Sequence, residues 1–163
     1  MKKTIAMVAC LATLLAGGCA SYDGAGLAPG RSSAQEVEAL MGPPAERIAA
    51  ADGGATWFYP RGPFGPHTYA VRLSAGGVVQ SVEQVLTLEN IAKIRLGETT
   101  AKDVRALIGP PWRTTHLDRQ QREVWIYNIV NQIDTPHVLS VQMSSDGVVR
   151  EVVMTRAPSL DKP

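Results

Sequence analysis

The chain has 163 residues, of which 45% are hydrophobic, and it carries 16 Lys or Arg residues against 15 Asp or Glu residues. This length accommodates one ordinary domain or two very small ones. The near-neutral charge argues against a nucleic-acid-binding protein, which would need a dense basic stripe to neutralise phosphates. It also provides no polybasic signal for binding to a membrane surface.

The first residues are predicted to form a secretory signal. Lys2 and Lys3 give a basic start, and the apolar stretch that follows, residues 5–16, is too short to span a bilayer. The run Leu15-Ala16-Gly17-Gly18-Cys19 resembles a bacterial lipoprotein signal box, in which small residues precede a cysteine that is acylated and becomes the mature N-terminus. We therefore assign residues 1–18 to a lipoprotein signal peptide and Cys19 to lipidation, with palmitate as an implied acyl group. The alternative is an ordinary cleaved signal that leaves Cys19 as a free thiol.

The residues around this cysteine set the expected location. Cys10 lies in the removed segment, so Cys19 remains alone and no intramolecular disulfide can form. Ala20 and Ser21 follow it, without the aspartate that retains lipoproteins of enteric bacteria in the inner membrane, and this resemblance implies the periplasmic face of the outer membrane. Residues 19–29 contain glycine and proline without apolar periodicity and are predicted to be a flexible tether.

Residues 30–87 are predicted to form a first repeat. A serine N-cap, an acidic first turn, apolar residues at i, i+3 and i+4, and a Gly-Pro-Pro stop predict a short helix that begins after Ser32 or Ser33 and ends at Met41. The glycine of that stop, Gly42, is expected to adopt a left-handed conformation. Aromatic or alternating runs and Gly-rich turns predict the remaining elements: strands at 45–50, 57–59, 67–74 and 78–86, turns at 52–54 and 75–77, and a Pro/Gly-rich loop at 60–66.

Residues 88–155 are predicted to form a second repeat with the same order of elements. A short helix at 88–94 leads into a helix that begins after Thr99 or Thr100 and ends at Gly109-Pro110-Pro111. Strands are expected at 112–117, 123–129, 137–143 and 148–154, with turns at 118–122 and 145–147 and a longer loop at 130–136. The tail of residues 156–163 contains two prolines and is predicted to fray.

The two repeats align from Gly30 and Gly97 to their last strands, but the first copy lacks a clear apolar helix ahead of Gly30. The offset between equivalent positions grows from 67 to 70 because the insertions fall in loops, as duplication of a folding unit would leave them. Such small units are near the lower size limit for an independent core, so we expect them to pack on each other. Equivalent pairs include Gly30 and Gly97, Val37 and Val104, Leu40 and Leu107, Gly42 and Gly109, Trp57 and Trp125, Tyr59 and Tyr127, His67 and His137, Val71 and Val141, and Gly77 and Gly147.

In each repeat a helix ends in Leu-x-Gly-x-Pro, a Trp-x-Tyr strand follows, and a Gly-Val-Val turn precedes the last strand. This ordered set resembles the SmpA/OmlA, or BamE-like, family of outer-membrane lipoproteins, and it covers residues 28 to 155. The second copy matches better, through Leu107-Ile108-Gly109-Pro110-Pro111, Trp125-Ile126-Tyr127 and Gly147-Val148-Val149. The resemblance implies a protein-binding or scaffolding lipoprotein, with the β-barrel assembly machinery as a candidate partner. It places no partner-contacting residue in this chain.

The assembly-machinery subunit of that family has one such domain, whereas this chain has two. The tandem arrangement resembles the secreted β-lactamase inhibitor proteins, in which two helix-plus-sheet units form a concave protein-binding surface. The expected fold is therefore α+β, with two tandem repeats. Each repeat is expected to be a short helix, or a helical hairpin, packed on a three- to four-stranded antiparallel sheet.

The sequence contains no catalytic constellation. His67 and His137 begin corresponding predicted strands, so a shared structural role is favoured over a metal site, and His116 near Asp118 is a polar alternation beside a turn. There is no nucleophile elbow, no phosphate-binding glycine loop and no Cys-His pair after processing. We therefore expect a protein that is not an enzyme and that has no cofactor, no metal and no nucleic-acid partner.

Two aromatic features are candidates for partner binding. Trp57 and Trp125 share a repeat position and are expected to pack the helix against the sheet, with a protein-binding anchor as the alternative. The loop at 61–66 differs from its polar counterpart at 131–136, since it holds an Arg and an aromatic residue between prolines and glycines. Arg61 and Phe64 are therefore candidate partner-binding residues, because a restricted loop loses little entropy on docking. A merely solubilising loop is the alternative.

The leading functional hypothesis is a non-enzymatic outer-membrane lipoprotein that supports envelope or outer-membrane protein assembly or integrity through protein contacts. The alternative is a periplasmic inhibitor or ligand-sensing protein that uses the groove between the repeats. A filled repeat interface would count against this alternative.

Overall fold

A computed structural model describes residues 21–62, 65–130 and 135–158. The predicted signal peptide at 1–18, the predicted lipidation site Cys19 and the candidate loop residue Phe64 lie outside the described residues. The helices and strands are α1 (Ala34–Met41), β1 (Glu46–Ala49), β2 (Ala55–Pro60), β3 (Thr68–Leu73), β4 (Val79–Gln84), α2 (Leu88–Ile91), α3 (Ala101–Ile108), β5 (Arg113–Leu117), β6 (Arg122–Val130), β7 (Pro136–Ser144) and β8 (Val149–Arg156).

The strands form two antiparallel sheets of four, in the orders β1-β2-β3-β4 and β5-β6-β7-β8. The α+β class and the two antiparallel sheets are therefore confirmed. Most strand bounds differ from the prediction by one or two residues, and the ends of two elements bear on the expected connection and tail. The helix expected at 88–94 ends at Ile91, and β8 continues to Arg156, which pairs with His137 where a frayed tail was expected.

Each helix had two candidate N-cap residues, and in both helices the second of them, Ser33 or Thr100, is the N-cap. The Ser33 N–H donates to Glu36 Oε2 at 2.7 Å, and Thr100 and Asp103 form the same capping box at the start of α3. The backbone N–H of Ser33, and then its hydroxyl, lower the pKa of Glu36. The Thr100 hydroxyl, and then its backbone N–H, lower the pKa of Asp103. A hydrogen bond from the N-cap backbone to a carboxylate therefore stabilises the first turn of both helices.

The other candidate in each repeat, Ser32 or Thr99, is buried and hydrogen-bonds to the turn that precedes the N-cap. Ser32 Oγ accepts a hydrogen bond from the Ala28 N–H at 3.0 Å, and Thr99 Oγ1 accepts one from the Arg95 N–H at 2.8 Å. Each of the two oxygens satisfies a backbone donor at the same point of its repeat. The duplication thus extends to individual hydrogen bonds.

Each helix start is joined to the turn between the last two strands of its sheet. The Ala34 N–H donates to the Gly77 carbonyl, and the Ala101 N–H donates to the Gly147 carbonyl, both at 2.8 Å. Backbone hydrogen bonds also join Ser32 to Val79 in the first repeat, and the equivalent residues make the same bond in the second. These bonds fix where each helix begins relative to its sheet.

The glycines that end the helices do not adopt the predicted left-handed conformation. Gly42 has φ 82° and ψ −173°, and Gly109 has φ 79° and ψ −175°. The positive φ is as expected, but the extended ψ belongs to a region that is essentially restricted to glycine. The chain therefore leaves each helix directly into the Pro-Pro segment.

Each repeat has its own buried cluster that includes residues of its main helix. The first cluster contains Val37 and Met41 of α1 together with strand residues, among them Tyr59 and Val71. The second contains Val104 and Ile108 of α3 together with residues of β6, β7 and β8, and also Leu86 and Ile91 from the connection between the repeats. All residues named for the two clusters are less than a tenth exposed.

Candidate interaction surface

The two equivalent tryptophans lie beside arginines of their own repeats. Trp125 is 3% exposed, its Nε1 donates to Glu123 at 2.8 Å, and the Arg105 guanidinium lies 4.6 Å from the ring centre. Trp57 is partly buried, with the Arg47 guanidinium 4.7 Å from its ring centre. The core role expected for Trp125 fits this burial, and the ring is not accessible as an anchor for a partner.

The repeats contact each other through the end of α3 and the face of the first sheet that points away from α1. Side chains alternate along β2, so Phe58 lies on the opposite face from Trp57 and Tyr59. Phe58 and Ala70 are each 1% exposed. Gly109 fits against this face so closely that an added Cβ would lie 2.7 Å from Thr68 Cγ2 and 3.0 Å from Phe58 Cδ1.

An ion pair crosses the same interface. Arg105 of α3 donates to Glu46 Oε2 of β1 at 2.6 Å, and both side chains are about one-third exposed or less. Since Arg105 also covers Trp125, one side chain connects the core of the second repeat to the edge of the first. The interface between the repeats is therefore filled at this point, which counts against the groove that the inhibitor alternative requires.

A shallow cleft remains beside this contact. It is lined by residues of both repeats, including Pro60, Thr68, Leu86, Pro110, Trp112 and Tyr127, and it encloses about 200 Å³ when space open to solvent is counted. Because this volume includes space open to solvent, the cleft offers little enclosed room for a ligand.

The equivalent tyrosines differ in their hydrogen bonding. The Tyr127 hydroxyl donates to the Gly109 carbonyl at 3.1 Å, whereas the buried Tyr59 hydroxyl has no hydrogen-bond partner among the described residues. Burial raises the pKa of Tyr59 to about 12, and burial also raises the pKa of Tyr127. Neither phenol titrates near neutral pH.

Arg61, one of the two candidate loop residues, holds the N-terminal segment onto the first repeat. Its Nε donates to the Tyr22 carbonyl at 2.7 Å, and its guanidinium also donates to the Ser21 carbonyl at 3.2 Å. The Ser21 N–H donates in turn to the Leu40 carbonyl at 2.7 Å. Over residues 21–29 the chain is therefore attached to the domain, which differs from the flexible tether predicted there.

An aromatic group surrounds this attachment. The Tyr22 ring lies edge-on to His67 and Tyr69 at centre distances of 6.2 and 6.0 Å, and His67 stacks on Tyr69. The Arg61 guanidinium lies 5.2 Å from the centre of the Tyr22 ring. The equivalent His137 instead contacts the Thr135 carbonyl through Nδ1 at 2.8 Å, so the two histidines do not share one structural role as predicted.

The histidines do not come together around a metal site in the described part of the chain, where no group of three or more His, Cys, Asp or Glu side chains is suitably placed. His116 Nε2 lies 3.9 Å from Asp118 Oδ1 at an exposed position. This pair is the polar alternation expected beside the turn.

Two large aromatic side chains are exposed on either side of the loop that Arg61 begins. Tyr22 is 49% exposed and Trp112 is 36% exposed. A Cβ added to Gly65 would collide with the Tyr22 hydroxyl, and a Cβ added to Gly62 would lie 2.8 Å from Trp112 Cβ. The Arg113 guanidinium lies 5.1 Å from the Trp112 ring centre. We call the surface formed by Tyr22, Arg61, Gly62, Gly65, Trp112 and Arg113 the loop surface.

Sequence patterns indicate only Arg61 of this surface. Tyr22 was assigned to a tether, and Trp112 was assigned to the start of a strand. One signal could have singled out Trp112, because its equivalent in the first repeat is Ala45, so the aromatic residue is specific to one copy. Nothing in the order of residues indicates that Tyr22 and Trp112 flank the same loop.

None of the helices formed by the described residues is both long and apolar enough to cross a bilayer.

No family model matches the chain, and no curated protein matches it. Two solved structures are similar to it. One is a DUF4309 family protein, YjgB, from Bacillus subtilis subsp. subtilis str. 168, with 15% identity over 82% of this chain and 84% of that chain and a TM-score of 0.32. The other is a candidate β-lactamase inhibitor protein from Streptococcus mutans, with 13% identity over 76% of this chain and 82% of that chain and a TM-score of 0.30. No function is transferred from either.

Proposed function

We propose that this chain is a non-enzymatic lipoprotein, anchored through Cys19 at the periplasmic face of the outer membrane, that supports envelope or outer-membrane protein assembly or integrity through protein contacts. The lipoprotein signal box ending at Cys19 carries this proposal. The ordered motifs in both repeats support a relationship to the SmpA/OmlA family, and they make the β-barrel assembly machinery the candidate partner.

Each repeat is proposed to be a helix packed on its sheet. The support is the membership of Val37 and Met41 of α1 in the buried cluster of the first sheet, and of Val104 and Ile108 of α3 in that of the second. The outer face of the first sheet also receives the end of α3. This contact within the chain supports the proposal that such a sheet face can bind protein.

The non-enzymatic assignment is supported by what the perturbed carboxyl groups do. Glu36 and Asp103 cap helices, Asp146 accepts from Ser144 and from the Val148 N–H in a turn, and Asp23 accepts from the Ala25 N–H. These hydrogen bonds lower the pKa of each carboxyl group. The shifts have structural causes, so they give no reason to infer acid-base catalysis.

Two measurements test the proposal. Radioactive palmitate should label the wild-type protein in cells and should leave the Cys19→Ala variant unlabelled. Affinity purification from crosslinked cells should then recover outer-membrane assembly proteins with wild type well above the level recovered with Cys19→Ala.

Each part of the proposal can fail separately. An unlabelled wild-type protein would refute the anchor. A labelled protein that enriches no envelope protein would refute the role in assembly. Recovery of one periplasmic enzyme, inhibited by the purified chain, would favour the inhibitor alternative.

A further inference from the structure

We propose that the loop surface lies against the lipid headgroups of the membrane, so that the protein is held on the bilayer in one orientation. This inference rests on the proposed acylation of Cys19. It adds to the anchor a second, noncovalent contact with a defined set of side chains.

The first step is the short distance between the lipid and the folded domain. Ser21 is held by hydrogen bonds from its N–H to the Leu40 carbonyl at 2.7 Å and to its carbonyl from Arg61 at 3.2 Å. Cys19 precedes Ser21 by two residues. Because an extended chain spans at most about 3.6 Å per residue, the covalent chain allows at most about 7 Å between an acyl attachment at Cys19 and Ser21. The acyl chains must therefore enter the bilayer beside the loop surface.

The second step is the chemistry of that surface. Tyr22 and Trp112 are 49% and 36% exposed. Tyrosine and tryptophan are enriched at the level of lipid headgroups, where an apolar ring and a polar group can both be satisfied. Arg61 and Arg113 lie beside these rings, at 5.2 and 5.1 Å from their centres. Arginine can place its apolar stem along the acyl boundary and its charge among the phosphates.

One acidic residue beside this surface, Asp23, is hydrogen-bonded within its own turn. Asp23 Oδ1 accepts from the Ala25 N–H at 2.9 Å and from the Ser21 hydroxyl at 3.2 Å. These bonds keep the carboxylate folded back onto its own turn. The proposed contact thus combines two interfacial aromatic residues and two cations next to the acylated end.

The strand directions provide a control position. β2 enters the loop at Pro60 and β3 leaves it at Thr68, so the turn at 75–77 lies at the other end of β3. The six residues of β3 separate the two ends by about 20 Å. Ala75 is exposed in that turn and should face away from the bilayer.

The test uses the full lipidated chain, purified from outer membranes and reconstituted into vesicles of phosphatidylethanolamine and phosphatidylcholine. A share of the phosphatidylcholine carries a nitroxide on its headgroup, which quenches nearby fluorophores. Emission from Trp112 is obtained as the difference between wild type and Trp112→Phe, which retains an aromatic ring. A fluorophore on an Ala75→Cys variant reports the far end, since the mature chain has no other free thiol once Cys19 is acylated.

We expect the nitroxide to quench Trp112 strongly and to leave the fluorophore at position 75 unchanged. Arg61→Ala should reduce the quenching of Trp112, because it frees the acylated segment from the domain. Vesicle flotation and circular dichroism must show that this variant is still bound to the vesicles and folded.

Two results would overturn the inference, and they can be told apart. If the protein floats with the vesicles but Trp112 is quenched no more than position 75, the orientation is wrong and the anchor stands. If mass spectrometry finds Cys19 unmodified and the chain does not float, the anchor is wrong and the inference falls with it.

Discussion

Substitution of the two helix-ending glycines should separate backbone strain from contact between the repeats. Gly42 and Gly109 have nearly the same backbone conformation, with φ of 82° and 79° and ψ of −173° and −175°. A Cβ at Gly42 would meet no atom within 4 Å, whereas a Cβ at Gly109 would lie 2.7 Å from Thr68 Cγ2 and 3.0 Å from Phe58 Cδ1. Gly42→Ala is therefore a matched control for Gly109→Ala.

The magnitudes follow from these two environments. A residue other than glycine in such a conformation costs about 1–3 kcal/mol, and this cost applies to both variants. Forcing a methyl group into a filled core typically costs a further 1–3 kcal/mol or so. Thr68 and Phe58 are each 1% exposed and have little room to yield. We therefore expect Gly109→Ala to lower the free energy of unfolding by about 1–3 kcal/mol more than Gly42→Ala.

Urea denaturation followed by far-ultraviolet circular dichroism measures both losses, and equal slopes against urea concentration would show that the same surface unfolds in each variant. Equal losses for Gly42→Ala and Gly109→Ala would refute the reasoning, because strain alone would then account for both. A larger loss for Gly42→Ala would refute it as well.

Three further predictions use the same denaturation assay. Tyr127→Phe should cost about 0.5–1.5 kcal/mol by removing the hydrogen bond to the carbonyl that ends α3, whereas Tyr59→Phe should be neutral or stabilising, and equal losses would contradict this. Glu36 has a pKa below its ordinary value of 4.5 in the folded state, so its contribution to stability is present above that pH and is lost as the pH falls through the folded pKa. The advantage of wild type over Glu36→Gln should therefore shrink on acidification from pH 7, and a constant advantage would count against the capping role. A double-mutant cycle with Arg105→Met and Glu46→Gln should give a coupling of about 0.2–1 kcal/mol that falls with added salt, since the pair is partly exposed, and zero coupling at low salt would rule out the ion pair as a link between repeats.

Local chemistry made most of the elements predictable. An N-cap, an acidic first turn and a glycine stop are specified within about ten residues, so α1 and α3 begin and end as predicted. The choice between Ser32 and Ser33 was open because both can cap a helix. It was decided by the burial of Ser32 under the preceding turn, where its hydroxyl accepts from the Ala28 N–H.

The candidate interaction surface was much less predictable. Arg61 was selected for its place in a restricted loop, but its hydrogen bonds go to carbonyls 39 and 40 residues earlier in the chain. The segment around Tyr22 has the composition of a linker, and only this long-range contact attaches it to the domain. The sequence pattern predicts Trp112 only as the start of a strand, and its contact with Gly62 is apparent only in the fold.

The sequence by itself determined the duplication, the α+β class and the positions of the helix caps and turns, because these depend on residues that are close together along the chain. It also contains the run of residues that predicts a lipoprotein signal box ending at Cys19. The tertiary structure decided how the repeats meet. The equivalent glycines Gly42 and Gly109 share the local pattern Ala-Leu-x-Gly-Pro-Pro and nearly the same backbone conformation, yet only Gly109 is packed against the other repeat's sheet. Such a difference depends on contacts between residues that are distant in the chain, and a local sequence pattern does not indicate those contacts.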